Sequence, residues 1–275
     1  MTRKTNFGAG PATLPTEVLQ QLAAATISYG HTGLPLPELE HRGAPFAAIL
    51  EECNALMREL CQIDNDYEVL WLHGGGRQQF CMVPMNFLTP DTTAAYIDSG
   101  YWAHEAMQYA AYYGQSATVA SSAHTAYDRL PEWPATLPPN TAYLHLTTNN
   151  TIYGTQWHTL PAATAPLVAD MSSDILSRQH NYRQYALFYA AAQKNLGLSG
   201  MAVAVIHRDM LAKANKNVPP LLSYAAQARE KSVVNTANIT GVYASLLMLR
   251  WTKERGIDAI EAENAQKADL LYNHL

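Results

Sequence analysis

At 275 residues, of which 48% are hydrophobic and 15% charged, the chain is long enough to bury a large core in one or two domains. Its formal net charge of −5 excludes the basic surface that nucleic acids or anionic membranes require, so we expect small-molecule partners. The three cysteines and the histidines match no metal-binding spacing, and the longest apolar run, "MAVAVI", is too short to span a bilayer, so we expect a cytoplasmic protein without a metal.

Short apolar runs alternate along the chain with longer amphipathic segments. A first helix is predicted from Pro15 to Ala25, starting near Thr16, and two more over Ile239–Arg255 and Ile257–Leu275. Between them lie two further helix-like segments, "RQQFCMVPMNFL" and "WAHEAMQYAAYYG", and six strand candidates, "YEVLWLH", "TAAYID", "TAYLHL", "APLVAD", "YALFYA" and "MAVAVIH". This alternation predicts an α/β domain with a mostly parallel sheet flanked by helices.

The residues that follow each strand are the informative ones, because ligands of open parallel sheets bind at the carboxyl ends of the strands. After "YEVLWLH" comes "GGGRQQF", a flexible turn that leads into a helix. Free backbone N–H groups and the helix dipole favour a phosphate at such a turn. Taken alone, a triple glycine is more often a tight turn than a ligand site. Gly76 and Arg77 therefore become candidates for phosphate binding only if other residues of such a site lie nearby.

Two charged residues follow successive strands, Asp170 after "APLVA" and Lys194 after "YALFYAAAQ". A buried carboxylate needs a compensating partner, so a helix cap or an internal ion pair explains Asp170 about as well as a functional role. Low polarity around Lys194 lowers the pKa of its amine and makes it a nucleophile for an aldehyde, although a strand-end lysine often simply reaches solvent. Their positions predict that both face one crevice, with Trp102 after another strand.

A phosphate-binding turn, an aromatic ring, a carboxylate and a lysine that can form a Schiff base are the groups that pyridoxal 5′-phosphate requires. The chain resembles the phosphoserine aminotransferases, which are fold-type-I pyridoxal-phosphate enzymes, nearly from end to end. The motifs that carry this resemblance are "NFGAGPATLP", "HRG", "HGGGRQQF", "DSGYW", "NNTIYG", "DMSSDILSR", "YAAAQKNLG" and "VNTANI".

The resemblance implies a role for each matching residue around the cofactor. Lys194 would form the Schiff base and then act as general acid and base. Asp170 would pair with the pyridine nitrogen, and Trp102 would stack on the ring. Gly76 and Arg77 would hold the phosphate with backbone and side-chain donors.

Further roles follow from the same resemblance. Gln193 and Thr151 would add hydrogen bonds around the cofactor. Asn235 and Thr236 match a family pair that reaches the phosphate of the neighbouring subunit's cofactor, which implies a homodimer with shared active sites.

The implied reaction transfers an amino group from L-glutamate to 3-phosphohydroxypyruvate, giving O-phospho-L-serine, and some bacterial relatives also serve pyridoxine synthesis. Arg42 of "HRG" matches the arginine that binds a substrate carboxylate, a task that suits a planar bidentate fork. For His41, a substrate contact and a structural hydrogen bond are equally good explanations.

The chain departs from the family pattern in two places. Gly8 and Ala9 offer no hydroxyl where the family often has one, which shifts substrate binding by about 1 kcal/mol. Family members also continue into a small C-terminal domain, so we expect a cofactor-binding domain over residues 1–255 and, over 256–275, the start of a domain that is largely missing.

Two other interpretations remain open from the sequence. The chain could be a truncated, catalytically impaired remnant that binds pyridoxal phosphate or dimerises. A different fold-type-I enzyme, such as another aminotransferase or a desulfurase, is a weaker possibility, because "HRG" and "HGGGRQQF" argue against it.

Overall fold

The computed structural model describes residues 3–275, so the first two residues of the predicted domain 1–255 lie outside the described residues. The helices are α1 (Thr16–Ile27), α2 (Ala44–Cys61), α3 (Gly76–Phe87), α4 (Tyr101–Ala110), α5 (Arg208–Leu211), α6 (Tyr224–Arg229), α7 (Ile239–Arg255) and α8 (Ile257–Tyr272). The strands are β1 (Tyr67–His73), β2 (Thr93–Asp98), β3 (Gln115–Ser121), β4 (Thr141–Thr147), β5 (Leu167–Asp170), β6 (Leu187–Ala191) and β7 (Met201–His207).

The strands form one sheet in the order β1-β7-β6-β5-β4-β2-β3. Strand β7 runs antiparallel to both of its neighbours, while the pairs from β6 across to β3 are parallel. A short loop suffices for the antiparallel step from β6 to β7, whereas parallel neighbours need a longer crossover. The predicted mostly parallel sheet is therefore confirmed.

Helices cover both faces of the sheet. Along β1, Val69 and Trp71 point into one core, and Leu70 and Leu72 point into the other, as the two-residue period of a strand requires. The first core lies under α1, α2 and α7, and the second under α3, α4 and α6. Burial on both faces explains why the predicted strands are nearly continuous apolar runs.

The last two helices meet at Gly256, where the predicted break occurs. Its φ of +79° is a left-handed conformation that glycine adopts without steric cost. Helix α8 then packs on α7 and is tied to the loop after β5, since Asn264 donates to the carbonyl of Ser177 at 3.0 Å. Among residues 3–275, no helix has the length and apolar character needed to cross a membrane.

Candidate active site

A cavity of about 370 Å³ opens at the carboxyl ends of β1, β4, β5 and β6, beside the first turns of α3 and α4. This is the edge of the sheet at which a ligand is expected. Seven of the residues predicted from the sequence line it: Gly76, Arg77, Trp102, Thr151, Asp170, Gln193 and Lys194. Asp170 and Lys194 meet here because β5 and β6 are parallel neighbours, with Asp170 paired in register with Tyr189.

The amine of Lys194 is held in a partly buried position. Its Nζ donates a hydrogen bond to the Thr151 hydroxyl at 2.9 Å. Burial lowers the pKa of Lys194, and the charge of Asp170 opposes this shift only in part. A larger fraction of the amine is therefore neutral and nucleophilic near neutral pH than for an exposed lysine.

The N-terminal segment closes over the stem of Lys194. The backbone N–H of Ala12 donates to the carbonyl of Gln193 at 2.8 Å, which fixes this segment against the end of β6. A Cβ atom at Gly10 would lie 3.1 Å from Cε and 3.3 Å from Cγ of Lys194. Glycine at this position therefore lets the lysine side chain lie directly on the backbone.

We expect Gly10→Ala to weaken the binding of pyridoxal 5′-phosphate by about threefold to tenfold, because the Lys194 side chain must shift to make room for the added Cβ atom. A spectrophotometric titration of the cofactor measures this effect. Gly8→Ala is the matched control, since a Cβ atom there meets the Asn6 side chain and not Lys194. Equal affinities for the two variants would contradict the proposed contact.

Asp170 ends β5 as a buried carboxylate. Burial raises its pKa, while hydrogen bonds from Ser172 and the charge of Lys194 act in the opposite direction. The backbone N–H of Ser172 donates to Asp170 Oδ1 at 2.9 Å, and the Ser172 hydroxyl accepts from the N–H of Ala191 at 3.0 Å. Ser172 thus holds the carboxylate in position and joins the ends of β5 and β6.

The turn in "GGGRQQF", which leads into helix α3, has the geometry of an anion site. Helix α3 begins at Gly76, and no side chain in residues 3–275 caps its free N–H groups. A Cβ atom at Gly76 would lie 3.3 Å from the Ser172 hydroxyl, so a side chain here would crowd the cavity. The guanidinium of Arg77 lies 5.4 Å from the ring centroid of Trp102, so a cation and an aromatic ring lie side by side in the lining of the cavity.

These residues fit the cofactor expected from the sequence. The cavity offers helix N–H groups and an arginine for a phosphate, a buried carboxylate for a pyridine nitrogen and an amine for an aldehyde. Its volume of about 370 Å³ lies within the usual range of small-molecule sites, roughly 300–1,000 Å³.

The other four predicted residues lie elsewhere. In the described chain, His41, Arg42, Asn235 and Thr236 do not line this cavity. The Arg42 guanidinium lies 2.7 Å from the His41 ring and donates to the carbonyl of Val233 at 3.0 Å, so "HRG" lies beside the segment that carries Asn235 and Thr236. Their roles stay predictions.

Sequence reasoning missed several residues of the cavity wall, among them Gly10, Thr147, Asn149 and Ser172. Thr147 is the last residue of β4, and Ser172 follows Asp170 by two positions. The sequence indicates these two residues only by their position: Thr147 directly follows "TAYLHL", and Ser172 lies in "DMSSDILSR".

Comparisons with known proteins give a consistent result. The class-V aminotransferase family model matches residues 5–275. A phosphoserine aminotransferase of Bacillus subtilis (strain 168) is 42% identical over 274 residues, which cover 99% of this chain and 76% of that protein.

Two solved structures are similar over almost the whole chain. Phosphoserine aminotransferase from Bacillus circulans subsp. alkalophilus has a TM-score of 0.94 at 41% identity, covering 98% of this chain and 75% of its own. A PLP-bound phosphoserine aminotransferase from Trichomonas vaginalis has a TM-score of 0.92 at 30% identity, covering 98% of this chain and 81% of its own. The predicted resemblance and fold class are thereby confirmed.

Proposed function

Because the chain belongs to the class-V aminotransferases and, within them, to the phosphoserine aminotransferases, we propose that it transfers an amino group from L-glutamate to 3-phosphohydroxypyruvate. The product is O-phospho-L-serine, which places the enzyme in serine biosynthesis. Enzymes of this family depend on pyridoxal 5′-phosphate. The observation that carries the proposal is the meeting of Lys194 and Asp170, at the ends of adjacent strands, in a cavity that also contains an anion-binding turn.

The bound cofactor supplies an electron sink that stabilises negative charge on the substrate α-carbon. The chain's own residues supply the rest. Asp170, whose carboxylate is held by the backbone N–H of Ser172, would pair with the pyridine nitrogen, and its negative charge would favour the protonated form of that nitrogen. Trp102 would stack on the ring, and the helix N-terminus at Gly76 and the Arg77 guanidinium would bind the phosphate.

Lys194 is the catalytic residue of this proposal. Because its pKa is lowered, Nζ would serve as the nucleophile for an aldehyde and as the base and acid for the proton of the substrate α-carbon. Thr151 orients Nζ through its hydroxyl, and Gln193 adds a hydrogen bond to the cofactor. The alternative of a catalytically impaired remnant is not favoured by relatives that are named as enzymes.

The proposal extends to the assembly. The partner's Asn235 and Thr236 complete the phosphate site of each subunit in a homodimer, and Arg42 binds a substrate carboxylate with His41 beside it. Their position together, away from the cavity of their own chain, supports this arrangement. A cytoplasmic location, a second role in pyridoxine synthesis and the division into residues 1–255 and 256–275 belong to the same proposal.

A steady-state assay that compares 3-phosphohydroxypyruvate with hydroxypyruvate tests the proposed substrate. With L-glutamate as amino donor, we expect kcat/KM to be at least about 100-fold higher for the phosphorylated acceptor, because a site that binds the substrate phosphate by charge-assisted hydrogen bonds loses them when the phosphate is absent. Equal turnover of both acceptors would indicate a different aminotransferase. Cofactor binding with no turnover of either would support the remnant.

A further inference from the structure

Lys194 and Asp170 must be held at a matching separation if both are to meet one cofactor ring. In pyridoxal 5′-phosphate, the aldehyde carbon and the ring nitrogen lie at opposite ends of a rigid six-membered ring. An amine and a carboxylate therefore reach the two ends together only where the protein fixes their spacing in advance. Asp170 is the last residue of β5, but Lys194 lies beyond the end of β6, where the pairing of these two strands no longer holds it.

Two hydrogen bonds join the segments after β5 and β6, one on each side of Lys194. Before it, the Ser172 hydroxyl accepts from the backbone N–H of Ala191 at 3.0 Å. After it, the side-chain amide of Asn195 donates to the carbonyl of Ile175 at 2.8 Å. The second bond thus reaches from the residue next to the amine to the loop that follows β5.

The segments at both ends of this second bond are well anchored. The N–H of Ile175 donates to the carbonyl of Met171 at 2.9 Å, and the N–H of Met171 donates to the carbonyl of Tyr189 in β6 at 2.8 Å. On the other side, a Cβ atom at Gly197 would lie 3.3 Å from the backbone of Ala244, so the turn after β6 ends against α7. The bond from Asn195 therefore joins two fixed pieces of backbone.

We propose that Asn195 is a positioning residue for the reaction, which fixes the backbone of Lys194 relative to Asp170 through its bond to Ile175. The inference rests on the proposed function, because the spacing matters only if both residues meet one ring. In the part of the chain that the structure describes, Asn195 does not line the cofactor cavity. It therefore acts through Lys194 and not by touching the cofactor.

Asn264 of α8 provides a matched control. Its side-chain amide donates to the carbonyl of Ser177 at 3.0 Å, in the same loop as Ile175. Both asparagines are half-buried, and both bond a backbone carbonyl of that loop. Only Asn195 is adjacent to Lys194, so a purely structural role for the two bonds predicts equal effects of their removal.

Leucine variants test the inference, because leucine has nearly the shape of asparagine and cannot donate. The probes are pyridoxal 5′-phosphate, which can bond covalently to Lys194, and pyridoxamine 5′-phosphate, which cannot. Their dissociation constants are measured at one pH by quenching of tryptophan fluorescence. The ratio of the two constants reports the contribution of Lys194, and a general loss of stability cancels from it because it weakens both ligands alike.

We expect Asn195→Leu to lower the preference for pyridoxal 5′-phosphate over pyridoxamine 5′-phosphate by about threefold to tenfold, the usual scale of one hydrogen bond. Asn264→Leu should leave this preference within about twofold of the wild type. A preference unchanged in Asn195→Leu, or lowered equally in both variants, would overturn the inference and leave the proposed function intact. A wild-type chain that binds both ligands equally would overturn the role of Lys194 and the inference with it.

Discussion

Replacing Lys194 by alanine is expected to abolish amino transfer, with a fall in kcat of at least about 10³-fold, because no other group at this position can attack the aldehyde or carry the α-proton. The fold should persist, since the side chain is only partly buried and makes one hydrogen bond, to Thr151. Absorbance with pyridoxal 5′-phosphate should show free cofactor only. Lys216→Ala, at an exposed lysine, is the control and should behave as the wild type.

Lys194→Ala should also change how the free energy of unfolding depends on pH. Burial lowers the pKa of Lys194, so the folded chain binds this proton more weakly than the unfolded chain does. The contribution of Lys194 to the free energy of unfolding therefore rises with pH between its folded and its unfolded pKa. Removing the amine should flatten this rise in the cofactor-free protein. An activity loss shared with Lys216→Ala, or a visible cofactor band retained in Lys194→Ala, would contradict the assignment.

Replacing Asp170 by asparagine is expected to lower kcat by about 10²- to 10³-fold, because a neutral amide cannot hold the pyridine nitrogen in its protonated form. The shape of the side chain is preserved, and the amide oxygen can still accept from the N–H of Ser172. Steady-state kinetics of the cofactor-saturated variant measure the loss. Activity within about threefold of the wild type would contradict the pairing of Asp170 with the ring nitrogen.

Asp174, four residues further along the chain in the loop after β5, gives the stability control for Asp170. Burial raises the pKa of Asp174, but the hydrogen bond and charge of His180, together with the charge of Arg178 and a hydrogen bond from Ser177, outweigh burial and lower it. Its carboxylate thus stabilises the fold above its unfolded pKa, and this stabilisation is lost as the pH falls. For Asp170, whose pKa is raised, the contribution to the free energy of unfolding falls as the pH rises through the folded pKa.

The two asparagine variants should therefore change the urea midpoint of the cofactor-free protein in different ways. Asp174→Asn is expected to lower the urea midpoint at neutral pH, because it also weakens the bonds from Gln156 and Ser177 to the carboxylate. Asp170→Asn is expected to leave the midpoint unchanged or to raise it, since it removes a buried charge. Destabilisation of both variants to the same degree would contradict this distinction.

The parts of the fold that could be predicted from sequence are those with strong apolar patterns. Six strands were identified because burial on both faces makes each one a nearly continuous apolar run. Strand β3, with the sequence "QSATVAS", lacks such a pattern because it lies at the edge of the sheet, where it pairs within residues 3–275 with β2 alone, and because its side chains are small and mostly half-exposed. Local composition does not distinguish such a strand from a loop.

Helix α2 is absent from the elements predicted above, although its sequence pattern is clear. Its buried residues include Phe46, Ile49, Cys53 and Leu56, which recur at the three- and four-residue spacing of an amphipathic helix. This helix is therefore encoded in the apolar pattern of the sequence. For α7 the prediction matched the observed bounds, Ile239–Arg255, since Gly256 supplies a clear C-terminal signal.

In the site, the sequence predicts residues that directly follow strands and misses contacts made across the chain. Lys194 and Asp170 were predicted to share a crevice because parallel strands end at one edge of the sheet. The packing of Gly10 on Lys194 depends on the path of the N-terminal segment in three dimensions.

The central claim is that Lys194 and Asp170 form, with bound pyridoxal 5′-phosphate, a centre that accepts an amino group from L-glutamate. Its most direct test is the absorbance spectrum of the purified chain with the cofactor, recorded before and after the addition of L-glutamate. We predict a visible band that moves to the shorter wavelength of the pyridoxamine form. A band that does not respond to L-glutamate would contradict the proposed transfer, and the absence of any band would contradict the role of Lys194.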